Sequence, residues 1–239
     1  MSRFAGQVAL ITGASGAIGG ALSTALVRQG AQVVLVGRDR ARLETAASRL
    51  DGLEGGVREI AICDFEAALE PARLADRLRQ AGIGLDILAH AAGLFLEGDL
   101  EPADDLSFAR LLRVNLQAPL ELTRGVLPLL RERQGQIVFV NSSVVARRGV
   151  GLYAASKHAL RAVADSLRDE VNGDGVRVVS VYPGRTASAM QQAVHRAEGK
   201  AYDPARLVQP QDVAEAVVGA LALERSAEIT DLHLRPMRP

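Results

Sequence analysis

The 239-residue chain holds a single cysteine, Cys63, so no disulfide can close within it and no cysteine-based metal site is expected. It has no charge surplus either. Its 28 basic residues are matched by 28 acidic ones, which leaves no net field to draw in nucleic acid or an acidic membrane surface. No apolar run approaches the roughly 20 residues that a bilayer-spanning helix requires. The opening stretch MSRFAGQVALITG reaches its first apolar segment without the charged, apolar and small-residue zones of a signal peptide. These absences fit a reducing cytoplasm, with neither nucleic acid nor a membrane as partner. Linkers rich in proline, glycine or serine are missing, as are internal repeats, so residues 1–239 are expected to form one domain.

What the chain does contain is a regular alternation of apolar runs and helix-periodic segments. Strands are expected at 7–12, 32–36, 57–62, 85–90, 136–141, 176–182 and 229–234. Helices are expected at 17–29, 39–50, 66–81, 103–131, 152–172 and 210–223. Several strands are apolar at nearly every position, as strands buried on both faces are. In the fifth helix Leu160, Val163, Ala164, Leu167 and Val171 recur at three- and four-residue steps, while Arg161, Asp165 and Arg168 take another face. Gly30, Gly82, Gly135 and Gly173 stand where helices should stop. The pattern implies an α/β protein: a doubly wound, three-layer sandwich around a seven-stranded parallel sheet.

Between the first strand and the first helix lies TGASGAIGG, with Gly13, Gly16, Gly19 and Gly20. Glycine inside a regular element costs about 0.5–1 kcal/mol relative to alanine, so such a cluster needs a reason. In a doubly wound sheet the first βα turn receives phosphate: glycines let the backbone approach a pyrophosphate, and the helix start offers unpaired N–H groups and partial positive charge. Gly13, Ser15, Gly16, Ile18 and Gly19 are the candidate residues. At the end of the second strand, Gly37 is followed by Arg38, which fits a 2′-phosphate and hence NADP(H) over NAD(H). Asp39 is read as the N-cap of the next helix, the alternative being a ribose-binding acid. Arg40 and Arg42 either assist Arg38 or are solvated.

Tyr153 and Lys157, in YAASK, are four apart and therefore share one helical face. Reduction of a ketone by hydride needs a proton donor at the oxygen, and a phenol becomes a useful acid–base at neutral pH when a nearby cation stabilises its phenolate. A hydroxyl to hold the carbonyl oxygen is available from Ser142 or Ser143, at the end of the fifth strand.

With these motifs, and with HAAG at 90–93, VNL at 114–116 and YPGRT at 182–186, the chain resembles the short-chain dehydrogenase/reductase family in its single-domain branch, over essentially its whole length. The resemblance implies a Rossmann-like fold and an oxidoreductase that interconverts a small-molecule ketone or aldehyde and its alcohol. On matching positions, Tyr153 is the expected acid–base and Lys157 lowers its pKa and binds the nicotinamide ribose. Ser142 orients the carbonyl, and Asn115 holds a water that links Lys157 to solvent. Asp64 contacts adenine, while Ala91, Ala92 and Gly93 let the cofactor ribose pass. Thr186 or Ser188, beyond Pro183 and Gly184, meets the carboxamide. A homodimer or homotetramer is implied, through the helices near 103–131 and 152–172 and the C-terminal strand, and 186–206 resembles a substrate lid.

Three departures from the family pattern stand out. The glycines fall at 13, 16 and 19, with Ala17 where a middle glycine is usual. HAAG replaces NNAG, and His90 is read as structural. Ser142 lies only eleven residues before Tyr153, so a shortened loop at 144–152 should line the substrate pocket. The Arg147–Arg148 pair either greets an anionic substrate or belongs to a solvated loop. Cys63 is read as a buried filler, and His158 should point away from the active face. His195, Arg196 and Lys200 fall in the lid without an assigned role. Two other functions use the same residues: a silent NADP(H)-binding sensor or scaffold, and epimerase or dehydratase chemistry.

Overall fold

The computed structural model describes residues 2–101 and 105–237. Seven strands form one sheet: β1 (Val8–Thr12), β2 (Gln32–Gly37), β3 (Gly56–Ile62), β4 (Ile87–His90), β5 (Gln136–Val140), β6 (Arg177–Pro183) and β7 (Asp231–Leu234). All neighbours pair in parallel, in the order β3-β2-β1-β4-β5-β6-β7. The order reverses between β1 and β4. A crevice opens there at the carboxyl ends of the strands, where ligands of doubly wound sheets bind.

The sheet's period-two alternation feeds two cores. Leu10, Val34, Leu88, Ile137, Phe139 and Val178 face one side. There they meet α3 (Glu70–Gln80), α5 (Ala118–Arg133) and α6 (Gly151–Val171) through residues such as Leu78, Leu122, Val126, Leu160 and Leu167. Ala9, Ile11, Val33, Leu35, Ala89, Val138 and Val181 face the other. They are covered by α1 (Ala17–Val27), α2 (Arg40–Ser48) and α8 (Pro210–Leu221) through Leu22, Leu26, Leu43, Val213 and Val217. Both faces of the inner strands are thus buried, which is why they read as nearly unbroken apolar runs, whereas the edge strands β3 and β7 are partly exposed and carry Arg58, Glu59, Asp231 and His233.

The structure corrects several expected boundaries. The long helix expected over 103–131 begins partly outside the described residues, and within them it is α4 (Asp105–Leu112), a π turn at Arg113–Gln117, then α5. The third helix starts at Glu70 rather than 66, because Asp64 and the turn after it hold the chain in a loop. An unexpected helix, α7 (Ala189–Ala197), fills much of the 186–206 segment. Its N-cap is Ser188, whose hydroxyl accepts from the Gln191 N–H at 3.2 Å. Two helix stops also shift by a residue or two. Gln134, not Gly135, takes the left-handed conformation after α5, and Gly175 rather than Gly173 takes it after α6.

Candidate active site

β1 and β4 end in register, Thr12 beside His90, so the turns that follow them leave the sheet together. The Thr12 hydroxyl accepts from the Ala91 and Ala92 N–H groups at 3.1 Å each, which fastens the two turns. Gly13 has φ of 65°, and a Cβ there would lie 2.7 Å from the Ala92 nitrogen. A Cβ on Gly19 would lie 2.3 Å from the Gly13 carbonyl oxygen. These glycines therefore serve first to close the strand–turn–helix packing. No side chain caps the start of α1, where Gly16 is the N-cap, which leaves its N–H groups for an acceptor from outside. Ile18 lines the main cleft, whereas Ser15, Gly16 and the Ala17 methyl line a separate groove between α1, α2 and α8.

At the end of β2, Asp39 caps α2 by accepting from the Arg42 N–H at 3.1 Å, as its place in the sequence suggested. Arg38 is largely exposed and reaches Glu66 at 3.3 Å. Arg42 turns back toward the glycine turn, 3.5 Å from the Ser15 carbonyl. Asp64 follows β3 and accepts from the Glu66 N–H at 3.0 Å. Cys63 is buried, which pushes its thiol up to about 12 and leaves it inert.

A cleft of about 350 Å³ runs over the ends of β4, β5 and β6 and is lined by Ala91, Ala92, Gly93, Ser142, Tyr153, Lys157, Pro183, Gly184 and Thr186, among others. Tyr153 and Lys157 project from the first two turns of α6. Phe95 meets the Tyr153 ring edge-on, 4.9 Å between centroids. Burial raises the Tyr153 pKa, and the neighbouring Ser142 hydroxyl acts in the opposite direction. Ser142 and Ser143 both line the cleft, and the Ser142 oxygen accepts from the Val144 N–H at 3.2 Å. Lys157 is buried and donates to the Val140 carbonyl at 2.9 Å; burial brings its pKa down to about 8, so it remains largely protonated at neutral pH.

Asn115 sits fully buried in the π turn. Its Oδ1 accepts from the Leu94 N–H at 2.8 Å, and its Nδ2 donates to the Leu94 carbonyl at 2.9 Å and to the Ser156 hydroxyl at 3.0 Å. Both amide donors are thus committed to protein, and the side chain ties the loop after β4 to α6. His90 accepts or donates at Nε2 with the Thr123 hydroxyl, 2.8 Å away, and stacks on Phe139. Burial, with the Lys157 charge, takes its pKa to about 3, so it is a neutral packing group. Thr186 is buried and donates to the Gly184 carbonyl at 3.0 Å.

Asn141 was not singled out in the sequence. It lines the cleft, is buried, and neither its Oδ1 nor its Nδ2 has a partner among the described residues. Both atoms are closed to the surface even with the cleft empty, so a molecule in the cleft would reach them only if the side chain turned. The uncapped start of α1 and the backbone approach at Gly13 fit a dinucleotide bound along this edge of the sheet.

The segment after β6 borders the cleft. Met190, Gln191 and Val194 of α7 line it. The segment is internally braced: Tyr202 accepts from the Ser188 N–H at 3.1 Å and packs edge-on against His195. Glu198, at the end of α7, pairs with Arg185 at 2.6 Å, Lys200 at 2.9 Å and Arg147 at 3.4 Å, which takes its carboxyl down to about 2. His158 is exposed, away from the Tyr153 side, as expected.

Comparison with known proteins bears on this arrangement. A family model described as short chain dehydrogenase matches residues 7–199. An uncharacterized oxidoreductase of Staphylococcus saprophyticus is 30% identical over 97% of both chains. Among solved structures, a metagenomic short-chain oxidoreductase in complex with NADP is 27% identical, with a TM-score of 0.85 over 100% of each chain. An alcohol dehydrogenase of the archaeon Thermococcus sibiricus, complexed with 5-hydroxy-NADP, is 28% identical, with a TM-score of 0.83 over 98% of each chain.

Proposed function

The chain belongs to the short chain dehydrogenase family and is an NAD(P)-dependent dehydrogenase or reductase, and from that premise we propose that it interconverts a ketone or aldehyde and its alcohol with NADP(H), Tyr153 acting as general acid–base. The observation that carries this reading is the convergence of Ser142, Tyr153 and Lys157 on one cleft, at the same edge of the sheet as the glycine turn. Reduced nicotinamide, when bound, supplies a hydride for the carbonyl carbon.

The remaining work falls to the chain. Ser142 and Tyr153 hold the carbonyl oxygen, and the Tyr153 hydroxyl gives it a proton as the carbon gains the hydride; the products are an alcohol and the oxidised cofactor. Lys157, beside the phenol on the same helix face, offers the positive charge that favours phenolate. Gly13, Ser15, Gly16, Ile18 and Gly19 would cradle the pyrophosphate, while Asp64, Ala91, Ala92 and Gly93 would border the adenosine and ribose. Pro183, Gly184 and Thr186 would flank the nicotinamide. A preference for NADP(H) is supported by Arg38, with Arg42 turned toward the glycine turn, and by the NADP in the two solved relatives. The same resemblance supports assembly as a homodimer or homotetramer.

Tyr153→Phe removes only the hydroxyl. It should lower turnover of a carbonyl panel by about 100-fold or more, the scale of a lost general acid, without shifting the unfolding midpoint. A folded Tyr153→Phe variant with unchanged turnover contradicts the assignment.

A further inference from the structure

The basic pair Arg147–Arg148 is divided by the structure. Arg148 turns outward and is matched one to one by Asp99, at 2.6 Å. Arg147 lies on the wall of the cleft, and Arg185, from the loop after β6, stands on the same wall. Both point their Nη2 atoms at one carboxylate oxygen, Oε1 of Glu198, whose other oxygen faces Lys200. Three cations therefore share a single anion. The other cation lining the cleft is Lys157, and no aspartate or glutamate lines it among the described residues. Each guanidinium has five N–H donors in a planar fork, and each spends one nitrogen on Glu198. The Arg147 side chain is 57% exposed and that of Arg185 33% exposed, so both keep donors open to an arriving group.

Much of the remaining lining is apolar. Leu94, Phe95, Val144, Val150, Met190 and Val194 contribute to it, beside the short polar side chains of Ser143 and Ser188 and the amide of Gln191. A wholly apolar substrate would cover the guanidinium N–H donors that Glu198 leaves open, at a desolvation cost. A substrate with an apolar body and an anionic end satisfies both parts of the wall. Glu198 already shows that a carboxylate fits between the two forks.

We propose that the substrate is an oxo acid, or the corresponding hydroxy acid, whose carboxylate is read by Arg147 and Arg185 while its carbonyl lies at Ser142 and Tyr153. The proposal rests on the reductase reading above and adds a substrate class to it. Arg147 belongs to the loop before α6 and Arg185 to the loop after β6, and Glu198 links both to the end of α7. Carboxylate binding thus draws on the same contacts that hold the segment over the cleft.

The test compares oxo acids whose carboxylate is separated from the ketone by two or more methylenes with their methyl esters. At that separation the two ketones are equally electrophilic, so the ratio of kcat/KM reports recognition of the charge. The native protein should favour the acids by about tenfold or more, the scale of a charge-assisted hydrogen bond. Arg147→Gln combined with Arg185→Gln should bring the ratio to about one, chiefly through KM for the acids, and Arg147→Lys should keep part of the preference. Calorimetric titration of acid and ester into the NADP-saturated proteins should show the same loss of affinity for the acid. Equal use of acids and esters by the native protein, or an acid preference that survives the double variant, overturns the proposal and leaves the reductase reading standing. No Tyr153-dependent turnover of any carbonyl, neutral or anionic, overturns both.

Discussion

Arg38 and Arg42 occupy the end of β2 without matching roles. Arg38 extends into solvent beside Glu66, and Arg42 bends toward Ser15. A 2′-phosphate presented at this edge would meet Arg38 first, because the pair with Glu66 is exposed and holds it only weakly. Arg38→Ala should therefore raise the Kd for NADPH by about tenfold and leave that for NADH nearly unchanged, as fluorescence titration would show. Equal losses for the two cofactors would mean that Arg38 does not read the phosphate. Placements that follow from local geometry were legible in advance. Tyr153 and Lys157 share a face because a helix repeats every 3.6 residues, and Asp39 caps α2 because its side chain reaches the backbone three residues on. Thr12, Arg185 and Glu198 were not assigned these roles, since each depends on contacts across the sheet or between distant loops that no local pattern encodes.

Strands and helices with strong periodicity were recovered nearly whole, because burial on both faces of the sheet, or on one helix stripe, writes itself into the sequence. Two features were not. The π turn at Arg113–Gln117 interrupts a segment that is apolar and helical on either side, so periodicity alone joins its halves. The helix α7 is only nine residues long; Met190, Ala193, Val194 and Ala197 do fall at helical spacing, but the stripe is too short to stand out, and Ser188, Tyr202 and Glu198 brace it through contacts outside the helix. The glycine turn shows how a motif can serve packing and binding together. Gly19→Ala should cost about 1–3 kcal/mol, since its methyl meets the Gly13 carbonyl, which is backbone and cannot swing aside. Gly219→Ala, on the exposed face of α8 with nothing within 4 Å of its new Cβ, should instead stabilise by about 0.5–1 kcal/mol. Urea midpoints of the two variants should move in opposite directions; a neutral Gly19→Ala would mean that the turn is looser than described.

Across the molecule, the reversal of strand order between β1 and β4 sets the glycine turn and the loop after β4 side by side, and the continuation through β5 and β6 brings Ser142, Tyr153 and Lys157 to the same edge. That architecture was readable from the alternation of strands and helices; the identity of the cleft's occupant had to come from its walls. Silent binding and epimerase chemistry would use the same fold but would not leave the cofactor's hydrogen on a released alcohol. The decisive measurement is isotopic: the protein is incubated with carbonyl compounds and NADPH carrying deuterium at the transferable position of C4, and the products are weighed by mass spectrometry. One deuterium on the carbinol carbon, lost together with turnover in Tyr153→Phe, is the expected result. Alcohol that carries only solvent hydrogen on that carbon, or no alcohol from any carbonyl while NADPH is bound, would contradict the assignment of this site to hydride transfer.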